Sequence, residues 1–169
     1  MDRPEGIFVS GVVRYSSGMT IDIASESAAR QFGERFGRAL RGGECLELVG
    51  DVGVGKTTFV KGLGAGLEVD EDVQSPSFTI SRVYEARDGL SLHHYDFYRL
   101  ESAGVVGYGI AESLSDSSAV TVVEWGDTVK GILPEARIRL EFAYHAHDVG
   151  RTCTITLPAE FAYLKEGLA

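Results

Sequence analysis

Gly50-Asp51-Val52-Gly53-Val54-Gly55-Lys56-Thr57 follows an apolar run at residues 44–49 and opens a helical pattern over residues 57–63. The octapeptide fits G-x-x-x-x-G-K-[ST], and a strand before it with a helix after it is the context in which that spacing cradles phosphate. Each residue type has a physical reason. Gly50, Gly53 and Gly55 put no Cβ in the way of a tight wrap around an anion. The backbone N–H groups along the turn, Val54 included, point inward as a nest, and the following helix adds its positive dipole end. Lys56 supplies a point charge for the β- and γ-phosphates. The Thr57 hydroxyl suits a Mg²⁺ ion, and the Thr58 hydroxyl reaches toward the α-phosphate side. The bland alternative is a structural glycine turn.

The composition around this motif excludes several classes. The chain has 169 residues, enough for one domain with a real core. Hydrophobic residues make up 44% and charged residues 24%, which fits neither a disordered nor a membrane-spanning chain. The longest apolar runs, such as residues 120–123, fall far short of the ~20 residues a bilayer requires. A net charge of −9 argues against gripping nucleic acid through a broad basic face and points to protein or small-ligand partners. The start, Met1-Asp2-Arg3-Pro4-Glu5, lacks the basic segment of a secretory signal. Cys45 and Cys153 each sit in a strand-like apolar run and read as buried thiols of a cytoplasmic protein. The 21 glycines exceed the usual ~7% and demand an explanation that the phosphate loop alone does not supply.

The expected organisation is a loose extension at residues 1–18, with a strand candidate at 7–13, and a single domain over 19–169. Ser25 is a candidate N-cap, with Ala28, Ala29, Phe32, Phe36, Ala39 and Leu40 at helical spacing after it. Arg30, Arg35, Arg38 and Arg41 lie mostly off that face, either as a solvated surface or as a strip for an acidic partner. The helix over 57–63 is expected to fray at Gly62, Gly64 and Gly66. Residues 79–84 and 90–95 flank Asp88-Gly89 as a hairpin, and 102–114 reads as a weak helix. Residues 119–124 are a Val-rich buried strand, 126–133 a short helix stopped by Pro134, and 137–142 with 152–157 a second strand pair. The pattern is mixed α/β, with parallel strands near the glycine loop and antiparallel strands elsewhere.

A metal–phosphate site needs acids. The apolar strand Val120-Thr121-Val122-Val123 ends in Glu124, placed to hold Mg²⁺ or its water, or else a surface carboxylate. Trp125 follows and either packs in the core or lines the pocket. Ser75-Pro76-Ser77-Phe78-Thr79 stands where P-loop proteins carry a switch loop, or is a simple loop entering a strand. In His93-His94-Tyr95-Asp96-Phe97-Tyr98-Arg99, Asp96 is the acid suited to order an attacking water or the Mg²⁺ shell; its alternative is a structural carboxylate. His145-x-His147 has metal-like spacing but no third ligand nearby and reads as a surface loop.

Taken in order, Gly50 to Phe59, Ser75 to Thr79, His94 to Arg99 and Glu124-Trp125 resemble the TsaE (YjeE-like) ATPases, with Leu133-Pro134 and Gly150-Arg151 also in family positions. The resemblance spans about residues 20–157. It implies a P-loop NTPase-like three-layer α/β fold with a mixed parallel and antiparallel sheet. It implies weak ATP hydrolysis in the making of tRNA threonylcarbamoyladenosine, with ATP and Mg²⁺ as cofactors. The implied partners are TsaD and TsaB, with tRNA met only indirectly and no membrane involved. By matching positions, Lys56, Thr57 and Thr58 look like the phosphate and Mg²⁺ residues, Glu124 like the second Mg²⁺ ligand, Asp96 like the acid needed for hydrolysis, and Trp125 like a neighbour of the nucleotide. The family usually carries Thr where Ser77 stands, and residues 102–114 lack the paired acids common there. A small-molecule P-loop kinase is the alternative, but no arginine-rich lid follows the middle of the chain. Neither N-K-x-D nor D-x-x-G is present, so a guanine switch has no visible basis.

Overall fold

The computed structural model describes residues 18–101, 104, 106–146 and 150–168. The expected extension and its strand at 7–13 therefore fall outside the described residues, apart from Gly18. Seven strands form one sheet in the order β1-β7-β6-β2-β5-β4-β3. They are β1 (Met19–Ile23), β2 (Cys45–Val49), β3 (Ser81–Glu85), β4 (Ser91–Asp96), β5 (Ala119–Glu124), β6 (Ile138–Tyr144) and β7 (Arg151–Thr156). The middle of the sheet, β6, β2, β5 and β4, is parallel; β3, β7 and β1 pair antiparallel at its flanks. This is the mixed sheet expected, and helices cover both of its faces.

Among the described residues, four α-helices accompany the sheet: α1 (Glu26–Ala39), α2 (Lys56–Gly66), α3 (Val106–Ser115) and α4 (Leu164–Leu168). Ser25 caps α1 as read, its Oγ accepting from the Ala28 N–H at 3.1 Å. At the other end the Arg87 guanidinium donates to the carbonyls of Arg38 and Leu40 at 3.0 and 2.8 Å, satisfying acceptors the helix leaves open. The larger core lies between the sheet and α1, α2 and α4. Phe32, Phe36, Phe59 and Phe142 meet there with ring centroids 5.2–6.0 Å apart. A smaller core on the opposite face joins Cys45, Tyr95, Phe97, Ile110 and Val123.

Gly62, Gly64 and Gly66 do not fray α2, contrary to the expectation; the helix runs unbroken to Gly66. Gly33 and Gly37 of α1 face Gly62 and Gly66 of α2 at backbone contact distance. A Cβ on Gly33 would stand 2.1 Å from the Phe59 carbonyl oxygen, and one on Gly62 would stand 2.0 Å from that of Arg30. The helical propensity lost at these positions is recovered as close interhelical packing. Much of the glycine excess is thus the α1–α2 interface.

Other departures are smaller. Strand β1, which lies outside the strands expected from the sequence, pairs with β7 and forms one edge of the sheet. The short helix expected in 126–133 is a 3₁₀ helix limited to Gly126–Val129. The C-terminal helix α4 was not foreseen. Leu164 and Leu168 are buried in the larger core, and the Tyr163 hydroxyl donates to the buried Glu44 carboxylate. Burial and that carboxylate push the Tyr163 hydroxyl pKa up. Cys45 and Cys153 are buried free thiols as expected, and desolvation pushes Cys45 up to about 12. Arg30, Arg35, Arg38 and Arg41 are exposed. Among the described residues, no helix is long and apolar enough to cross a membrane.

Candidate functional site

The loop after β2 emerges at the carboxyl end of the parallel strands, where β5 and β4 also end. Parallel pairing sets Leu48 opposite Glu124 and Asp96 opposite Glu124. Alternation along each strand places Leu92, His94 and Asp96 on one face with Val120, Val122 and Glu124, the face that α2 covers. The two acids predicted from separate motifs therefore stand side by side beneath the helix that carries Lys56 and Thr57.

The loop backbone has the conformation a phosphate nest needs. Gly50, Gly53 and Gly55 have φ of 144°, 80° and 113°, a region that L side chains rarely adopt. Gly50 has a second constraint, since a Cβ there would meet the Phe142 carbonyl at 2.5 Å. Val54 turns its side chain into the core and anchors the loop, leaving its backbone as the part available to a ligand.

A cleft of about 440 Å³ opens above this loop. Gly53, Gly55, Lys56, Thr57 and Thr58 form one wall; Asp96, Glu124 and Trp125 form another. All the expected site residues except Gly50 and Val54, which shape the loop from behind, line this cleft. Lys56 Nζ donates to the Gly50 and Asp51 carbonyls at 2.7 and 2.9 Å and lies 5.1 Å from the Trp125 ring centre. Burial lowers the Lys56 pKa, while the nearby charges of Glu124, Asp96 and Asp51 oppose that shift.

Asp96 is held on both oxygens. Oδ2 accepts from Ser77 Oγ at 2.7 Å and from Ser75 Oγ at 3.4 Å, and Oδ1 accepts from the Tyr98 N–H at 3.0 Å. The Ser-Pro-Ser loop is therefore tied to the site acid and is more than an entry to β3. That loop ends at Ile80, whose φ of 70° is a strained value for a β-branched residue. The Ile80 carbonyl in turn accepts from the Asp96 N–H at 2.9 Å. Trp125, at φ 57°, turns out of β5 toward the cleft, and its ring stacks obliquely on Tyr98 at 4.9 Å.

Residues that sequence reading left without a role also gather here. Phe78, Tyr98 and Arg99 border the cleft, the Arg99 guanidinium lying 4.9 Å over the Phe78 ring. His94 bonds to Glu124 beneath the floor. The sequence signals for these were the switch-like segment 75–79 for Phe78 and the density of polar and aromatic groups in residues 93–99 for the others. His145 sits 3.3 Å from Asp22, away from the cleft, and His147 lies outside the described residues. Among the described residues, no three His, Cys, Asp or Glu side chains converge as a self-contained metal site.

Sheet, loop and acid pair together define a mixed-sheet α/β protein with its candidate site at the carboxyl ends of the parallel strands. The family model for threonylcarbamoyl adenosine biosynthesis protein TsaE matches residues 23–153. A Treponema pallidum protein, tRNA threonylcarbamoyladenosine biosynthesis protein TsaE, is 37% identical over 132 residues, covering 78% of this chain and 95% of that one. Proteins described in the same words are 44% identical in Streptomyces coelicolor (66% of this chain, 76% of that one) and 39% identical in Bacillus subtilis (68% and 70%). The crystal structure of Bacillus subtilis YdiB superposes with a TM-score of 0.72 at 29% identity, covering 94% of this chain and 97% of that one. The chain belongs to the TsaE family.

Proposed function

We propose that this protein binds and hydrolyses ATP with Mg²⁺ as a cytoplasmic subunit of the machinery that makes tRNA N6-threonylcarbamoyladenosine. The observation that carries the reading is the convergence of Lys56 and Thr57 with Asp96 and Glu124 on one cleft. The donor set fits Mg²⁺. It offers a hydroxyl and carboxylates, all hard oxygens, in the small number that suffices when substrate phosphates and waters complete the shell. Thr57 and Glu124 would hold the ion, and bound there it would offset the negative charge on the β- and γ-phosphate oxygens.

The chain's own residues do the rest. The loop N–H groups and the start of α2 bind the phosphates. The Lys56 ammonium, held at the cleft by two carbonyls, exchanges them for phosphate oxygens, which are stronger, charge-assisted acceptors. Asp96, fixed on both oxygens, orients the attacking water and accepts its proton as the water oxygen bonds in line to the γ-phosphorus and the bond to the β–γ bridging oxygen breaks, releasing ADP and phosphate. Trp125 and Tyr98 offer aromatic surface beside the nucleotide.

Family membership makes TsaD and TsaB the direct partners in this reading, and the chain's net charge of −9 argues against a direct grip on tRNA. Phosphate release from ATP, measured with and without that pair, tests the reading: stimulation by the pair is expected. Lys56→Ala is expected to lower turnover by about 100-fold or more while the far-ultraviolet circular dichroism stays unchanged. Undiminished turnover in that variant refutes the site. Phosphoryl transfer to a small acceptor would instead favour a kinase.

A further inference from the structure

We propose that His94 is a positioning residue: its Nε2–H holds the Glu124 carboxylate in the orientation that receives the divalent cation accompanying the nucleotide. This rests on the Mg²⁺–nucleotide reading of the cleft. His94 lies in the middle of β4, between Leu92 and Asp96 on the α2-facing side, and pairs across the sheet with Val122. Its exposure is 0%. An imidazole at such a place costs free energy that an aliphatic side chain would not, unless it makes a hydrogen bond.

It makes one. His94 Nε2 stands 2.8 Å from Glu124 Oε1, and both side chains are buried. A carboxylate only accepts, so the proton of this bond sits on Nε2 and Nδ1 presents a lone pair. That buried Nδ1 has no hydrogen-bond partner. The ring therefore ties no second element into the core. Its one polar contact goes to Glu124, which lines the cleft. With Oε1 engaged from below, Oε2 is left for the cleft. A glutamate otherwise free to rotate about three bonds is held ready, which lowers the entropy lost when a cation binds. Hydrogen bonds to a ligating carboxylate of this kind typically contribute 10–100-fold to metal affinity or activity.

The experiment measures affinity for a non-hydrolysable ATP analogue in Mg²⁺ and in EDTA, by calorimetry, on the full chain. The wild-type protein is expected to bind more tightly in Mg²⁺. His94→Leu is expected to shrink that ratio by about 10-fold while leaving the EDTA affinity unchanged. His94→Gln carries an amide N–H to about the position of Nε2 and should restore the ratio. Glu124→Gln should lose the ratio too, and adding His94→Leu to it should change little further. An unchanged ratio in His94→Leu overturns the proposal. So does an equal loss of affinity in Mg²⁺ and EDTA, which marks a general packing defect. If His94→Leu does not fold, His94→Asn, whose amide falls short of Glu124, replaces it; equal ratios for His94→Asn and His94→Gln then overturn the proposal. A wild-type protein indifferent to Mg²⁺ refutes the nucleotide reading itself. A Mg²⁺-dependent wild type with an indifferent His94→Leu refutes only the role of His94.

Discussion

Asp96 and Ser77 lie 19 residues apart in sequence and share a 2.7 Å hydrogen bond. That bond links the Ser-Pro-Ser loop, which lines the cleft, with the acid we propose for water activation. A hydrogen bond to a charged group contributes ~1.5–3 kcal/mol. Ser77→Ala should therefore lower kcat at saturating ATP by about 10-fold and leave nucleotide affinity in EDTA unchanged. Ser77→Thr keeps the hydroxyl and should turn over like the wild type. Steady-state phosphate release at several ATP concentrations separates the two cases, and equal kcat for Ala and Thr would show that the contact does not orient Asp96. The seryl cluster was visible in the sequence as a switch-like loop. Its partner was not, because nothing local to residues 75–79 points to residue 96.

Helices α1 and α2 are where sequence propensity and packing disagree. Glycine weakens an isolated helix by about 1 kcal/mol relative to alanine, so the run at 62–66 reads as a frayed end. Tertiary contact reverses the sign. At Gly33 a methyl group would have to displace the Phe59 backbone. Gly33→Ala should destabilise the fold by about 1–3 kcal/mol through overpacking, despite its better helix propensity. Gly109 in α3 is the control, since a Cβ there meets nothing within 4 Å. Gly109→Ala should stabilise by about 0.5–1 kcal/mol. Urea unfolding of the two variants reads both signs, and a stabilising Gly33→Ala would refute the close-packed interface.

Across the whole molecule, the candidate site sits at the carboxyl ends of the central parallel strands while α4 closes the larger core from beside α1. Leu164 and Leu168 are buried there, and Tyr163 bonds to Glu44 just before β2. Burying a leucine contributes ~1.5–3 kcal/mol, so losing both by removing residues 159–169 should cost about 3–6 kcal/mol. That is a large part of the ~5–15 kcal/mol that keeps a domain folded. The expected result is a marked fall in the urea midpoint; a truncated chain as stable as the full one would show that α4 merely rests on the surface.

Local residue patterns determined much on their own. Three glycines at fixed spacing dictate a loop conformation, and the lysine and threonine after them open the helix beside it. A Val-rich run ending in Glu124 reads as a buried strand with an acid at its tip. These signals are short-range because backbone freedom, side-chain volume and charge act on immediate neighbours. Tertiary structure decided what no local pattern contains. The register of β4 against β5 set Asp96 beside Glu124, and the α2-facing side of the sheet buried His94 against that same carboxylate. It also turned helix-weakening glycines into an interface. Such outcomes depend on desolvation and close packing between residues distant in sequence, and these have a sign only once the chain has folded around them.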